Sequence, residues 1–233
     1  MQFKPAHLHN FMNVKDIILK IIPAKIANEF VKKYHYSGKV VPNSTLHFGA
    51  FYQNKLHGVL SYGPSINKKG TINLVENTGW NEFIELNRMA FDDYLPKNSE
   101  SRCIAISIKL IKKNAPHIKW IISFADGTQC GDGTIYRASG FKLVGIVENT
   151  AIRINPKTKE KIHVIQAHHL KITNEFKNWQ PVNGKQLKYV YLIDKNCKLT
   201  VPVMPYSQID VMGAGMYKGE KVTLQERKQA VEA

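Results

Sequence analysis

The sequence contains few cysteines and no long apolar run. Its 233 residues include three cysteines, at positions 103, 130 and 197. An odd number at these wide spacings argues against a disulfide framework and against a CxxC metal site, so we expect reduced thiols. No run approaches the ~18 consecutive apolar residues of a membrane span, and the first residues lack the apolar region of a signal peptide. We therefore expect a soluble, cytoplasmic protein with no membrane partner.

Acidic residues are also scarce relative to basic ones. The chain has 33 Lys and Arg against 18 Asp and Glu, which gives a net charge of +15 and an isoelectric point of about 9.6. An isoelectric point above ~9 is the usual electrostatic footprint of nucleic-acid binding. A generally lysine-rich composition would give a similar surplus. We favour a polyanionic partner, with nucleic acid first and a phosphate-bearing cofactor second.

Hydrophobic periodicity predicts helices and strands along most of the chain. The expected strands are 14–22, 45–53, 56–63, 83–91, 120–124, 142–147 and 187–193, and the expected helices are 24–34, 102–114 and 135–139. Asn54 and Lys55 are interpreted as a hairpin turn, and Gly58 as a bulge or a close backbone approach. Gly38 is interpreted as the end of the first helix. At 233 residues, the chain fits one domain with room for a small appendage.

The segment 118–141 carries the pattern strand, glycine-rich turn and short helix. Asp126 stands where the apolar strand ends, and Tyr136 lies in the helix that follows. Sites form at the carboxyl ends of strands in open α/β sheets, so both side chains are candidate site residues. The alternative is a tight turn with a solvated or capping Asp.

Two further side chains are candidates. His35 lies in the sequence YHYSG at 34–38, and it is a possible metal ligand or general base. The alternative for His35 is a helix-end residue favoured by the helix dipole. Arg88 lies in the unusually polar strand 83–91 and is suited to holding an anion. The alternative for Arg88 is a surface ion pair with Glu85 or Asp92.

The start of the helix at 102–114 is a candidate cofactor site. A helix N-terminus offers free N–H groups to a pyrophosphate, and Ser99, Ser101 and Arg102 lie there. Ser99 or Ser101 can instead cap the helix.

Further along, Asn149 to Lys161 is predicted to be a basic turn between two strands, either bound to a phosphate backbone or simply solvated. His168 and His169 hint at a metal, but neighbours on a strand point to opposite faces, which argues against one shared ion.

Four separated motifs resemble those of one family. They are YHYSG at 34–38 with Val41-Pro42, the hairpin at 48–63, ELNRMA at 85–90, and the segment 118–141. Together they resemble the Mom family of phage DNA-modification proteins, whose fold is similar to the Gcn5-related N-acetyltransferases. The resemblance covers roughly residues 15 to 150. It implies an α/β core with a mixed, largely antiparallel central sheet flanked by helices in 1–150, extended by C-terminal strands and a tail in 151–233.

The resemblance also implies a function. Mom proteins convert adenine to N6-carbamoylmethyl adenine in double-stranded DNA, which protects phage DNA from host restriction enzymes. The matching site residues would be His35, Tyr36, Arg88, Asp126 and Tyr136. The family is suspected of binding iron, which here implies His35 and Asp126 as ligands. The donor would be an acyl-coenzyme A type molecule or an unknown compound.

Two other functions stay open at this stage. One is an ordinary acyl-coenzyme A-dependent N-acetyltransferase acting on a protein or small-molecule amine. Such enzymes carry a Q/R-x-x-G-x-G/A loop before the helix at 102–114, and the absence of glycine there counts against this function. The other is a non-catalytic DNA-binding protein, which accounts for the charge but not for polar residues at four separate motifs.

Overall fold

The computed structural model contains both helices and strands, and it describes residues 13–126, 131–148, 151–182, 184–212, 216–217 and 220–221. The helices are α1 (Ala24–Tyr34), α2 (Lys68–Ile72), α3 (Ser99–Asn114), α4 (Thr134–Ala138), α5 (Val164–His169), α6 (Thr173–Phe176) and α7 (Gln208–Val211). The strands are β1 (Ile18–Ile21), β2 (Leu46–Tyr52), β3 (Lys55–Gly63), β4 (Phe83–Phe91), β5 (Trp120–Asp126), β6 (Lys142–Glu148), β7 (Ile152–Ile154), β8 (Lys161–His163), β9 (Gln180–Pro181), β10 (Lys185–Leu192), β11 (Met216–Tyr217) and β12 (Glu220–Lys221). Within the described ranges, no helix has the length and apolar character needed to cross a bilayer.

The main sheet has seven strands in the order β1-β2-β3-β4-β5-β10-β6. The pairs β1–β2, β2–β3 and β3–β4 are antiparallel, whereas β4 and β5 are parallel. Smaller sheets have the orders β8-β7-β9 and β11-β12. The prediction of a mixed, largely antiparallel α/β sheet flanked by helices is confirmed.

The chain divides into two compact units that interleave along the sequence. The first comprises 1–123, 135–142 and 189–203, and the second comprises 124–134, 143–188 and 204–233. The predicted division into a core at 1–150 and an extension of the same domain at 151–233 stays a prediction.

In the first unit, α1 covers one face of the strands β2, β3 and β4. The apolar side of this amphipathic helix buries Ala27, Phe30 and Val31 against Val59 of β3 and Ala90 of β4. Each large apolar side chain buried in this way stabilises the fold by roughly 1.5–3 kcal/mol. Pro23 is the N-cap of the helix and needs no donor there.

Helix α3 contacts strand β3 through a buried hydroxyl pair. The Tyr62 hydroxyl lies 2.6 Å from the Ser107 hydroxyl, and both side chains are fully buried. Cys103, on the same helix, is also fully buried, and burial raises the pKa of its thiol to about 12. Burial raises the pKa of Tyr62 as well, so both groups stay protonated.

The β2–β3 hairpin turns one residue earlier than predicted. Gln53 and Asn54 have φ angles of 48° and 62°, and Lys55 pairs with Tyr52. Two central residues with positive φ are the mark of the type I′ turn that suits the twist of a hairpin. The predicted close backbone approach at Gly58 is confirmed, because a methyl group there would overlap the Phe91 ring.

Three local predictions are wrong. The segment 14–22 is not one strand, since a 3-10 turn at Val14–Asp16 precedes β1. Gly38 does not end α1, which has His35 as its C-cap; Gly38 closes the next turn, with its N–H 2.8 Å from the His35 carbonyl. His168 and His169 lie on helix α5 rather than on a strand, so the argument from opposite strand faces does not apply to them.

The second unit contains the sheet β8-β7-β9 with α5 and α6. Its apolar cluster consists of Ile162, Ala167, Phe176 and Trp179. The Arg153 guanidinium donates to two backbone carbonyls, at 2.7 and 2.8 Å. The predicted basic turn at Asn149 to Lys161 is too wide, because Ile152–Ile154 forms β7 and Lys161 begins β8; residues 155–160 connect these two antiparallel strands.

Candidate functional site

His35 stands directly after α1, with its ring held by Ser37. The Ser37 backbone N–H donates to Nδ1 of His35 at 3.2 Å, and the Ser37 hydroxyl lies 2.8 Å from the same nitrogen. The Ser37 hydroxyl oxygen also accepts the Lys39 N–H at 3.2 Å. Because Nδ1 accepts a backbone N–H, a neutral ring in this arrangement carries its proton on Nε2.

The His35 ring is uncharged at neutral pH. Burial lowers the pKa of His35 to about 4, and the nearby Arg88 charge lowers it further in the same direction. The Tyr36 ring lies against His35, with a centroid distance of 4.2 Å, and Tyr36 is about half exposed. A neutral imidazole can accept a proton or bind a metal ion without first losing a proton of its own.

Arg88 is fixed on β4 by two backbone carbonyls. Its Nε donates to the Lys39 carbonyl and its Nη1 to the Asn87 carbonyl, both at 3.0 Å. The first bond ties strand β4 to the segment that follows His35. Asp92, considered above as an ion-pair partner of Arg88, instead hydrogen-bonds His57 Nδ1 at 3.0 Å. The structure therefore brings His35, Tyr36 and Arg88 together.

A polar row that sequence reasoning missed lies across the same sheet face. His47 pairs with Ser61 across β2 and β3, and Ser61 pairs with Arg88 across β3 and β4. Val59 and Ala90 face α1, and strand alternation places Ser61 and Arg88 on that face too. His47 Nδ1 lies 2.8 Å from the Ser61 hydroxyl. Both residues are buried, and burial lowers the pKa of His47, so this second imidazole is also neutral.

Glu85 and Asn87 extend this polar surface along β4. Burial raises the pKa of Glu85, while hydrogen bonds from Ser65 and Asn87 and the Arg88 charge act in the opposite direction. The Asn87 carboxamide oxygen accepts the Ser44 hydroxyl at 3.1 Å. These contacts hold the loop before β2 and the loop after β3 on the strand that carries Arg88.

Tyr136 belongs to an aromatic cluster of the first unit. Its ring lies 5.6 Å from that of Phe141 and 5.4 Å from that of Tyr189, measured between centroids. It also lies near enough to Tyr62 to raise the pKa of that phenol slightly. Tyr62 contacts α3, whereas Arg88 lies on the face that α1 covers. The assignment of Tyr136 to the site stays a prediction.

Asp126 is the last residue of β5 and is half-buried. It belongs to the second unit, whereas His35 and Arg88 belong to the first. The glycine-rich turn after it is described only from residue 131, so Cys130 and Gly127 lie outside the described residues. Beyond this gap, the buried Asp132 accepts the Thr134 N–H at 3.0 Å and the Thr134 hydroxyl at 2.5 Å, which holds the start of α4.

The predicted cofactor residues stand at the start of α3, but no side chain caps this helix. Asn98 is the N-cap, with a φ of 70° and no side-chain hydrogen bond to the first turn. The Ser99 hydroxyl donates to the Pro96 carbonyl at 2.6 Å and the Ser101 hydroxyl to the Asn98 carbonyl at 3.1 Å. The predicted capping by these serines is therefore wrong. Arg102 donates to the Lys15 carbonyl at 3.2 Å, and its Nε is buried without a hydrogen bond.

The donor set can be compared with the needs of iron. His35 is neutral, as a ligand must be, but Nδ1 accepts the Ser37 N–H, so ligation through Nε2 requires the other tautomer, in which the Ser37 hydroxyl accepts an Nδ1 proton. Within the described ranges, no three His, Cys, Asp or Glu side chains converge into a metal-binding group. The pair His35 and Asp126 therefore stays a prediction. In the second unit, His168 and His169 line an open depression with Lys171, Thr173 and Asn174.

Fold and site define an α/β protein whose mixed sheet carries a neutral imidazole and a fixed guanidinium on one face, with a second neutral imidazole at the end of α1. The model of the Mom protein family matches residues 16–208, and the chain belongs to this family. The methylcarbamoylase mom of Escherichia phage Mu is 38% identical over 137 residues, which cover 58% of this chain and 56% of the phage protein. The chain thus spans little more than half the length of this relative.

Solved structures similar to this chain include three acetyltransferases. The Bacillus subtilis acetyltransferase in complex with CoA is 9% identical with a TM-score of 0.47, covering 76% of this chain and 98% of that one. The ribosomal-protein-S18-alanine N-acetyltransferase of Escherichia coli is 9% identical with a TM-score of 0.46, covering 76% and 94%. The IAA acetyltransferase of Bacillus cereus is 10% identical with a TM-score of 0.45, covering 76% and 99%. At TM-scores below 0.5, these likenesses say nothing about activity.

Proposed function

We propose that this protein is a phage DNA modification enzyme that converts adenine to N6-carbamoylmethyl adenine in double-stranded DNA. The observation that carries the proposal is the 38% identity with a methylcarbamoylase, together with a family match over residues 16–208. The net charge of +15 supports DNA as the partner, because basic side chains release counterions from the phosphate backbone. Protection of the modified DNA from restriction follows from this proposal.

His35 is the proposed proton acceptor. Transfer of a group to the exocyclic N6 of adenine requires that nitrogen to lose a proton, and a neutral imidazole can take it. In the structure Nδ1 accepts from Ser37, so Nε2 holds the ring proton. If the Ser37 hydroxyl accepts an Nδ1 proton instead, Nε2 gains the free lone pair that a base needs. Ser37 would therefore set which ring nitrogen of His35 is reactive.

Arg88 and Tyr36 are the proposed substrate contacts. Arg88 is fixed by two carbonyls, and its guanidinium has further donors for a phosphate or a carboxylate oxygen. Tyr36 is about half exposed beside His35 and can stack on an adenine that has left the duplex. Tyr136 is proposed as a further stacking residue or proton donor.

Iron and a donor molecule complete the proposal. His35 and Asp126 are the proposed iron ligands, and a bound iron ion would supply a Lewis acid for the transferred group. If His35 binds iron through Nε2, that lone pair cannot take the N6 proton, so the two proposed roles of His35 are alternatives. Ser99, Ser101 and Arg102 are proposed to bind an acyl-coenzyme A type donor at the N-terminus of α3. Metal analysis of the purified protein tests the first point, since His35→Ala should lower the bound iron regardless of activity.

The deciding experiment is mass spectrometry of nucleosides from plasmid DNA of bacteria that express the protein. We expect an adenosine with a carbamoylmethyl-sized mass shift. Asp126→Ala should abolish this product while DNA binding persists, because the proposed role of Asp126 is chemical. Asp210→Ala is the matched control, since this exposed carboxylate also lies in the second unit and has no role in the proposal.

Two outcomes would overturn the proposal. Unmodified DNA from cells with abundant soluble protein would remove the modification function and favour the non-catalytic DNA-binding protein. An acetyl-sized shift on a protein or small-molecule amine would favour the ordinary acetyltransferase. Full activity of Asp126→Ala would leave the function standing and remove Asp126 from the site.

A further inference from the structure

An exposed apolar side chain stands on the loop between β3 and α2. Ile66 is 67% exposed, although Ser65 before it is buried. Lys68 and Lys69 follow within three residues. Ile18 and Ile21 are similarly exposed, at 54% and 72%, but they lie on strand β1 and not on a loop. Ile66 is therefore an apolar tip on a loop with adjacent positive charge.

This loop is held firmly from below. The Ser65 hydroxyl lies 3.5 Å from the Thr71 hydroxyl. Ser65 and the Ile66 backbone also lie close enough to the Glu85 carboxyl on β4 to act against the rise in its pKa. On the other side of the tip, the Thr71 hydroxyl donates to the Asn67 carbonyl at 2.7 Å, and the Gly70 N–H donates to the Asn67 side chain at 3.1 Å. An apolar tip that is fixed before binding loses little entropy when it is inserted into a partner.

The positive charge beside the tip is also fixed. The Lys68 ammonium lies 3.8 Å from the centre of the Trp80 ring, within the range of a cation–π interaction. Trp80 packs edge-on against Phe83 at 6.3 Å, so the ring that holds Lys68 is itself fixed. Lys69 is exposed. Two cations thus follow the tip in the chain, and one of them is held in place.

The loop is attached to the strand that carries the proposed site. Glu85 lies near the tip and three residues before Arg88 on β4. Gly63, where β3 ends and the loop begins, pairs with Glu85, and Ser61 pairs with Arg88. A partner that contacts Ile66 therefore lies close to the strand end where the polar row begins.

We propose that the segment 64–72, which comprises the loop after β3 and helix α2, opens duplex DNA, with Ile66 inserted between base pairs and Lys68 and Lys69 bound to the adjacent phosphates. The proposal rests on the proposed function, because an enzyme acting on N6 of a paired adenine must extrude that base. Apolar side chains that enter a base step unstack it and lower the cost of extrusion.

The test uses the fluorescence of 2-aminopurine placed at the target adenine of a short duplex, which rises when the base leaves the stack. Wild-type protein should raise the signal. Ile66→Ala should reduce that rise by about tenfold, since unstacking costs a few kcal/mol per step. Ile66→Leu should retain it. Ile21→Ala is the matched control, because it removes an equally exposed side chain from β1.

Modification assays separate this loop's role from the chemistry. Ile66→Ala should modify a paired adenine poorly but recover on an adenine opposite an abasic site, where little stacking is lost. Lys68→Gln with Lys69→Gln should lower the salt dependence of binding by about two phosphate contacts.

The failures are distinguishable. If wild-type protein modifies DNA and Ile66→Ala matches it in both assays, the loop proposal is wrong and the proposed function stands. If wild-type protein raises the 2-aminopurine signal through Ile66 but modifies nothing, the loop proposal stands and the function fails. If wild-type protein does not bind DNA, both are wrong.

Discussion

His35 illustrates how two neighbours set the chemistry of one side chain. Burial removes water that would solvate the imidazolium, and Arg88 adds a like charge, so both lower the pKa of His35, to about 4. Below that pH the ring is charged, and above it the ring is a free base. An activity that needs neutral His35 would therefore persist to lower pH than the ordinary histidine pKa of about 6.5 allows.

Replacing Arg88 should separate these two causes. In Arg88→Gln, we expect the pKa of His35 to rise above about 4 but to stay below about 6.5, because burial is the larger cause and remains. NMR titration of the His35 imidazole measures this directly. Arg102→Gln is the control, since that guanidinium contacts the Lys15 carbonyl instead. An unchanged His35 pKa in Arg88→Gln would show that the two side chains are not coupled.

At the scale of the secondary-structure element, the packing of β2, β3 and β4 constrains which residue a position can hold. The hairpin β2–β3 and the strand β4 form a continuous antiparallel surface, and Gly58 lies where β3 meets the Phe91 ring. The missing side chain leaves room for that ring. The position therefore needs glycine because of close approach and not because of a special φ angle.

Gly58→Ala should destabilise the protein by about 1–3 kcal/mol, the usual cost of adding a methylene to a packed site. Urea denaturation measures the loss. Gly145→Ala in β6 is the matched control, because a methyl group there meets only Lys188 Cβ at an ordinary 3.7 Å. Combining Gly58→Ala with Phe91→Ala should cost less than the sum of the two single changes. Strict additivity would mean that the Phe91 ring is not what excludes a side chain.

Elements with a long, regular pattern are the ones that the sequence predicts well. The strand Phe83–Phe91 and the helix Ala24–Tyr34 match their predicted bounds, because the hydrophobic pattern of each, with the strand or the helical period, runs over the whole element. The hairpin turn is one residue off, since the positive φ angles of Gln53 and Asn54 follow from strand register. Short pieces such as α5 do not distinguish the helical period from the strand period.

The candidate site likewise contains residues that can be predicted from the sequence and residues that cannot. His35 and Arg88 can be identified from residue type and the surrounding motif. His47 and Ser61 cannot, because they join Arg88 only through cross-strand pairing, and the sequence separation of His47 from Arg88 hides that pairing. Register depends on the whole sheet, so no local pattern marks these two residues.

Charge acts at the scale of the whole molecule. The net charge of +15 would attract any polyanion, DNA included, so only a local comparison can identify residues that would contact phosphate. The tip between β7 and β8 is ordered, since the Asn155 side chain accepts N–H groups of Lys157 and Thr158. It presents three exposed lysines, at positions 157, 159 and 161.

Neutralising this tip should weaken DNA binding in a salt-dependent way. Changing Lys157, Lys159 and Lys161 to Gln should reduce the slope of log affinity against log salt by up to about 2.7, or 0.9 for each phosphate contact. Fluorescence anisotropy at several salt concentrations measures the slope. The control is the same change at three exposed lysines of α3, at positions 109, 112 and 113. Equal slopes for both triple variants would show that the tip is merely solvated.

The rate at which the buried Cys103 thiol is alkylated reports local opening of the protein. Alkylating reagents attack the thiolate, and a fully buried thiol whose pKa is about 12 presents almost none. With Cys130 and Cys197 changed to Ser, Cys103 is the one remaining thiol. Its labelling rate would measure how often α3 separates from the sheet. Labelling rates measured with and without DNA would then show whether DNA slows this local opening, and the assay needs no added probe.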